Sequence, residues 1–235
     1  MSLQPRLLAG VTVVALVSFA ACSCPEPPAT ATPIDPQAVL RQSGQVMQNL
    51  ESFHLLLRHE NGSTQFLPGL NVEEAEGDVV TPNTISISFS GTYGTAFAVR
   101  ASIVTLGDAS YMINPLTGEW ETVATGVSPL GFFDPTRGIG AMTSQVDQAH
   151  LLGESKGDPG VHRIGGTIAS EVLQSLLGTT LFGETVQVEL IIDVDRLFLL
   201  EARLTGRVTP TDDDNVIRVI TLSKFNEPVD IKAPI

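Results

Sequence analysis

The chain has 235 residues, with 13 lysines and arginines against 26 aspartates and glutamates, for a net charge of −13. A surface of that sign repels phosphate backbones and offers no polybasic attraction to anionic lipid head groups, which excludes nucleic acid as a partner class. The only two cysteines, Cys22 and Cys24, stand near the N-terminus, so neither a disulfide nor a cysteine-based metal site stabilises the body of the chain.

Arg6 opens an apolar stretch from Leu7 to Val17, and Phe19-Ala20-Ala21-Cys22 ends it with small residues before a cysteine. That order describes a secretory signal, residues 1–21, with Cys22 as the residue that takes a lipid. An ordinary signal peptide or an uncleaved anchor is the competing reading. The apolar run of about 15 residues falls short of the ~20 that a spanning helix needs. Phe19 occupies a place where Leu is usual, and Cys24 is a second candidate. Two alanines precede Cys22, which favours it.

Residues 22–36 are rich in Pro, Ala and Thr, including Pro25, Pro27, Pro28, Pro33 and Pro36. Such a composition favours extended conformations and buries no core, so it reads as a tether. The domain is expected over residues 37–235. Asp35-Pro36 predicts a helix start, with Asp as N-cap and Pro at the first helical position. Val39, Leu40, Val46, Met47 and Leu50 form its apolar face. A strand over Phe53–His59 and a turn at Asn61-Gly62 follow.

In the middle of the chain Ile85, Ile87 and Phe89 alternate with serines, and Phe97, Val99, Ala101 and Ile103 repeat the period. Tyr111, Ile113 and the segment from Trp120 continue the strands. This is the pattern of an antiparallel sheet with one apolar and one wetted face. Phe132, Phe133, Pro135, Ile139, Met142 and Val146 predict a helical insertion. After the strand at His162–Ile164, Ser170 is the expected cap of a third helix, striped by Val172, Leu173, Leu176 and Leu177 and stopped by Gly178. Val186, Val188, Leu190 and Ile192 return to strand, as do Leu197–Val208 and Val216–Leu222, joined by a solvated acidic turn at Thr211–Asn215.

Motifs for chemistry are weak. Gly153-Glu154-Ser155-Lys156-Gly157 matches the G-x-S-x-G nucleophile elbow, but a helix-like segment is expected before it and the Asp158-Pro159-Gly160 turn follows, against the strand–turn–helix that the elbow requires. His54, His59, His150 and His162 are scattered, and neither Asp212-Asp213-Asp214-Asn215 nor Asp193-Val194-Asp195 has calcium-loop spacing. No cofactor, no metal and no catalytic group are expected.

Ala75-Glu76-Gly77-Asp78-Val79-Val80-Thr81-Pro82-Asn83, Pro115-Leu116-Thr117-Gly118-Glu119-Trp120, Phe133-Asp134-Pro135-Thr136-Arg137-Gly138-Ile139 and the ending Leu222–Ile231 stand in order along the chain. Together they resemble the LppX/LprA/LprF/LprG lipoproteins of mycobacterial cell envelopes, over about Val39 to Pro234. The resemblance implies an α+β fold, a strongly curved antiparallel half-barrel enclosing a few helices, related in shape to the LolA/LolB carriers. It implies binding of an acylated lipid or lipoglycan in an apolar cavity, carriage across the envelope, and no catalytic residues.

An envelope carrier anchored on the outer face of the cytoplasmic membrane, monomeric, with a possible partner transporter, is the expectation. Each CH₂ withdrawn from a bilayer must be compensated by about 0.8 kcal/mol, so a chain of ~16 carbons needs on the order of 12 kcal/mol of burial. The candidate lining from the sheet is Ile85, Ile87, Phe89, Phe97, Val99, Tyr111 and Ile113, with Val188 and Leu190 from later strands. Phe132, Ile139, Met142, Val172, Leu173, Leu176 and Leu177 are the helical candidates. Such a cavity is expected at or beyond the upper end of the usual ~300–1,000 Å³ pocket range. The alternative is a filled-core surface lipoprotein that binds protein or glycan, and periodicity alone does not separate the two.

Overall fold

The structure is a computed structural model that describes residues 34–94, 97–114, 117–124, 138–153, 160–177 and 179–235, without the side chains of Leu67, Leu176 and Leu177. The signal segment, Cys22, the tether up to Pro33, Phe132, Phe133, Pro135 and Ser155 lie outside the described residues, as do the Leu176 and Leu177 side chains. A compact unit spans Ile34–Ile235.

Helix α1 covers Pro36–Gln48, and the Asp35 carboxylate accepts a hydrogen bond from the Gln37 backbone N–H at 3.0 Å. Strands β1 (Ser52–Asn61), β2 (Thr64–Leu67), β3 (Leu70–Val80), β4 (Thr84–Tyr93), β5 (Phe97–Leu106), β6 (Ala109–Ile113) and β7 (Trp120–Val123) follow. Then come α2 (Ile139–Ser144), β8 (Asp147–Leu151), β9 (Val161–Ala169), a 3₁₀ turn over Ser170–Leu173 and the single-turn α3 (Gln174–Leu177). Strands β10 (Thr185–Asp193), β11 (Leu199–Thr205) and β12 (Ile217–Ser223) end the fold.

These elements form one 12-stranded sheet in the order β7-β6-β5-β4-β3-β1-β12-β11-β10-β9-β8, with β2 paired to β3. Every pairing is antiparallel. Strand β1 joins two meanders, with β3 on one side and β12 on the other. Strands β7 and β8 are its edges, so the half-barrel is open.

Register fixes which face is apolar. Phe53 opposes Val79, Val79 opposes Ile85, Ile87 opposes Ile103, and Leu55 opposes Leu222. In the other meander Val188 opposes Leu204, and Leu190 opposes Ile164. All belong to one core with Val39, Leu40 and Met47 of α1 and with Ile139 and Met142 of α2. Residues from both wings of the sheet meet the same helices because the sheet curves around them.

Three local expectations are corrected. The third helix is a 3₁₀ turn plus one α-turn: the Ser170 hydroxyl donates to the Leu181 carbonyl rather than capping a helix, and Glu171 accepts from the Gly183 N–H at 2.6 Å. So short a segment does not repay helix nucleation. Second, the segment before Gly153 is strand β8, not a helix; it is a largely exposed edge strand, unlike the buried strand that a nucleophile elbow requires. Third, the acidic turn is not wholly solvated. Asp212 is buried and pairs at 2.7 Å with Arg218, which is 0% exposed.

Candidate lipid-binding site

On the inner face of β3–β6, Leu70 opposes Tyr93, Ala75 opposes Phe89, Phe89 opposes Ala101, and Tyr93 opposes Phe97. Gly91 lies between Val72 and Val99 in the same row, and a Cβ there would collide with the Asn71 backbone. Leu70, Phe89, Tyr93, Phe97, Val99, Ala101 and Met112 make the apolar lining of a cavity of about 350 Å³, with Pro68, Asn114 and Glu121 also on its wall. The Asn114 amide donates to Glu121 at 2.9 Å. Phe66 packs against the core with its ring 5.9 Å from that of Phe89. The arrangement is an apolar slot with a short polar margin, suited to a hydrocarbon chain.

Of the residues expected to line a cavity, Phe89, Phe97 and Val99 lie on this one. Ile85, Ile87, Ile139, Met142, Leu173, Val188 and Leu190 are buried in the closed core, and Val172 packs against it. Tyr111 and Ile113 fall on the opposite face, because Met112 pairs with Ile103 and Tyr111 with Val104. Sequence reasoning missed Leu70, Tyr93, Ala101 and Met112. Among these, Ala101 was the legible one, since it shares the alternation of Val99 and Ile103.

The outer face of the same strands carries a second groove of about 450 Å³. Serines Ser88, Ser90 and Ser102 form its floor, between Glu74 and Glu76 on β3 and Ile113 on β6, with Arg100 beside them. His54 sits next to it, its ring nitrogens 2.7 Å from Asp78 and 3.1 Å from Glu76.

Beneath the β2–β3 hairpin is a buried polar chain. The His59 ring meets the Glu73 carbonyl at 2.8 Å and the Thr64 hydroxyl at 2.8 Å; Arg218 donates to that hydroxyl at 2.7 Å and to both Asp212 oxygens at 2.7 Å. Asp212 also accepts from the Val208 and Thr209 N–H groups and the Thr209 hydroxyl. Burial, the largest influence, pushes the Asp212 pKa up, but Arg218 and the Thr209 hydrogen bonds together hold it below the ordinary carboxylate value. Burial pushes the His59 pKa down. Among the described residues no cluster of three or more His, Cys, Asp or Glu side chains is placed to hold a metal, and no helix is long and apolar enough to cross a membrane.

The profile of the LppX_LprAFG lipoprotein family matches residues 35–231, the whole of the sheet and its helices. The chain belongs to that family. Two crystal structures share the LppX_LprAFG fold with it. LprF from Mycobacterium bovis superposes with a TM-score of 0.66 at 22% identity, over 85% of this chain and 96% of that one. Mycobacterium tuberculosis lipoprotein LppX gives 0.57 at 22% identity, over 83% and 97%. A LolA-superfamily protein from Nitrosomonas europaea reaches only 0.30 at 11% identity, too low to decide anything about the fold. No curated protein matches the chain.

Proposed function

We propose that this family member binds an acylated lipid or lipoglycan, seats one acyl chain in the slot between Phe89, Val99 and Met112, and carries it across the cell envelope. The carrying observation is the slot itself: apolar side chains of β3–β6 that border a cavity on the inner face of an open sheet. Each methylene seated there recovers about 0.8 kcal/mol of what it loses on leaving the bilayer. A volume of about 350 Å³ suits one chain, so further chains of a larger cargo rest elsewhere on the protein. Cys22 supplies the lipid anchor, residues 22–36 the tether, and a membrane transporter is the expected source or recipient. The protein acts as a monomer on the outer face of the cytoplasmic membrane and is not an enzyme.

Ala101→Phe tests this by filling the slot. Uptake of a fluorescent long-chain acyl lipid is expected to fall at least tenfold while the melting temperature stays near wild type. Unchanged uptake in a folded variant contradicts the proposal. A second reading rests on the outer groove with its serine floor and charged walls: a surface module that binds a glycan. Glycan binding with no lipid uptake by the wild-type protein would favour it.

A further inference from the structure

Topology places four features at one end of the sheet. Tyr93 and Phe97 close the β4–β5 hairpin, and both are on the lip of the slot and exposed, at 55% and 62%. Strand β3 begins there with Leu70, β1 ends there, and the antiparallel pairings carry the same end through the start of β12, the end of β11 and the start of β10. Phe182, 93% exposed, lies just before β10, and its neighbour Leu181 donates its N–H to the Val208 carbonyl just beyond β11.

The folded unit also begins at this end. Gln37, in the first turn of α1, donates to the Val146 carbonyl, and Asp147 pairs with Thr167 close to where β9 finishes opposite Thr185. The far end of α1 meets the opposite end of the strands, where the Leu199 N–H opening β11 points at the Met47 sulfur. Thus Ile34, itself exposed, lies at the same end of the strands as the slot's mouth.

We infer that this end is a membrane-docking surface: Phe182, Tyr93 and Phe97 enter the interface of the bilayer that holds the anchor, and the slot opens onto that bilayer. The inference rests on the proposed lipid cargo, which would otherwise cross water. From Cys22 to Pro33 the chain reaches roughly 35–40 Å at about 3.1 Å per extended residue, enough to let the mouth face the membrane. A net charge of −13 gives no electrostatic attraction to lipid, so contact depends on apolar insertion, for which interfacial aromatics are suited.

The unit Ile34–Ile235 contains the entire core and lacks the anchor, so it reports docking alone. Flotation with neutral phosphatidylcholine vesicles is expected to carry the wild-type unit upward. Phe182→Ser should reduce the bound fraction at least fivefold, whereas Val194→Ser, in the turn after β10 at the opposite end, should leave it unchanged. Uptake of acyl lipid dispersed in detergent should be the same in wild type and Phe182→Ser, since Phe182 is not on the slot. No vesicle binding by the wild type, or equal binding by all three, overturns the docking surface. Vesicle binding without uptake of dispersed lipid would instead remove the cargo reading and leave the docking surface standing.

Discussion

Gly44 of α1 and Gly140 of α2 meet so closely that a Cβ on Gly44 would stand 2.7 Å from the Gly140 carbonyl oxygen, and a Cβ on Gly140 would stand 2.9 Å from the Gly44 carbonyl oxygen. The obstacle on each side is backbone, which does not swing aside as a flexible side chain does. Gly44→Ala gains up to ~1 kcal/mol of helix propensity but forces the two helices apart at a typical cost of about 1–3 kcal/mol. A net loss in urea unfolding is therefore expected, and a raised midpoint would show that the contact yields.

Asp212 and Arg218 form a buried ion pair at 2.7 Å. Removing one partner leaves an uncompensated charge, at a cost of about 3–5 kcal/mol. Asp212→Asn is expected to lower the unfolding free energy by that order, and a change below ~1 kcal/mol would mean that Arg218 finds another acceptor.

The same chain makes the fold acid-sensitive. The His59 pKa is lowered from 6.5 in the native state, so below about pH 6.5 the unfolded chain binds a proton that the folded one resists, and stability falls with pH. The depressed Asp212 pKa adds a second loss: its contribution is complete above about pH 3.9 and disappears as pH falls through the lower native value. Melting temperature should decline between pH 7 and 5, and His59→Gln should flatten that decline. An identical decline in the variant would place the acid sensitivity elsewhere.

Met112 and Tyr111 discriminate the two sheet faces. Met112→Asp sets a carboxylate against the acyl slot and should reduce lipid uptake at least tenfold, equivalent to about 1.4 kcal/mol. Tyr111→Ser, on the far face, should change it less than twofold. Equal effects would contradict the register that separates them.

These neighbours also show what the sequence discloses. Ile85, Ile87 and Phe89 alternate with serines, so their face is evident from the chain alone. Tyr111-Met112-Ile113 are all apolar and lie in a five-residue strand, where no period exists; pairing with Ile103 chooses Met112. Strand β8 is polar and exposed at an edge, which leaves no apolar period to detect. Three aspartates in a row resemble a solvated turn, and the partner that buries Asp212 also contacts Thr64, 154 residues away in the chain. The closed core was legible as apolar residues; which of them border the slot depends on strand order and register. Phe182 carries no periodic signal, and only the strand order places it at the same end of the sheet as Tyr93 and Phe97.

The most direct test of lipid binding is native mass spectrometry of the unit Ile34–Ile235, purified from its own host and then extracted with organic solvent. A near-stoichiometric adduct with the mass of an acylated lipid, released on extraction, is the predicted result. A clean apo mass that takes up no lipid when acylated lipid is offered would contradict the account.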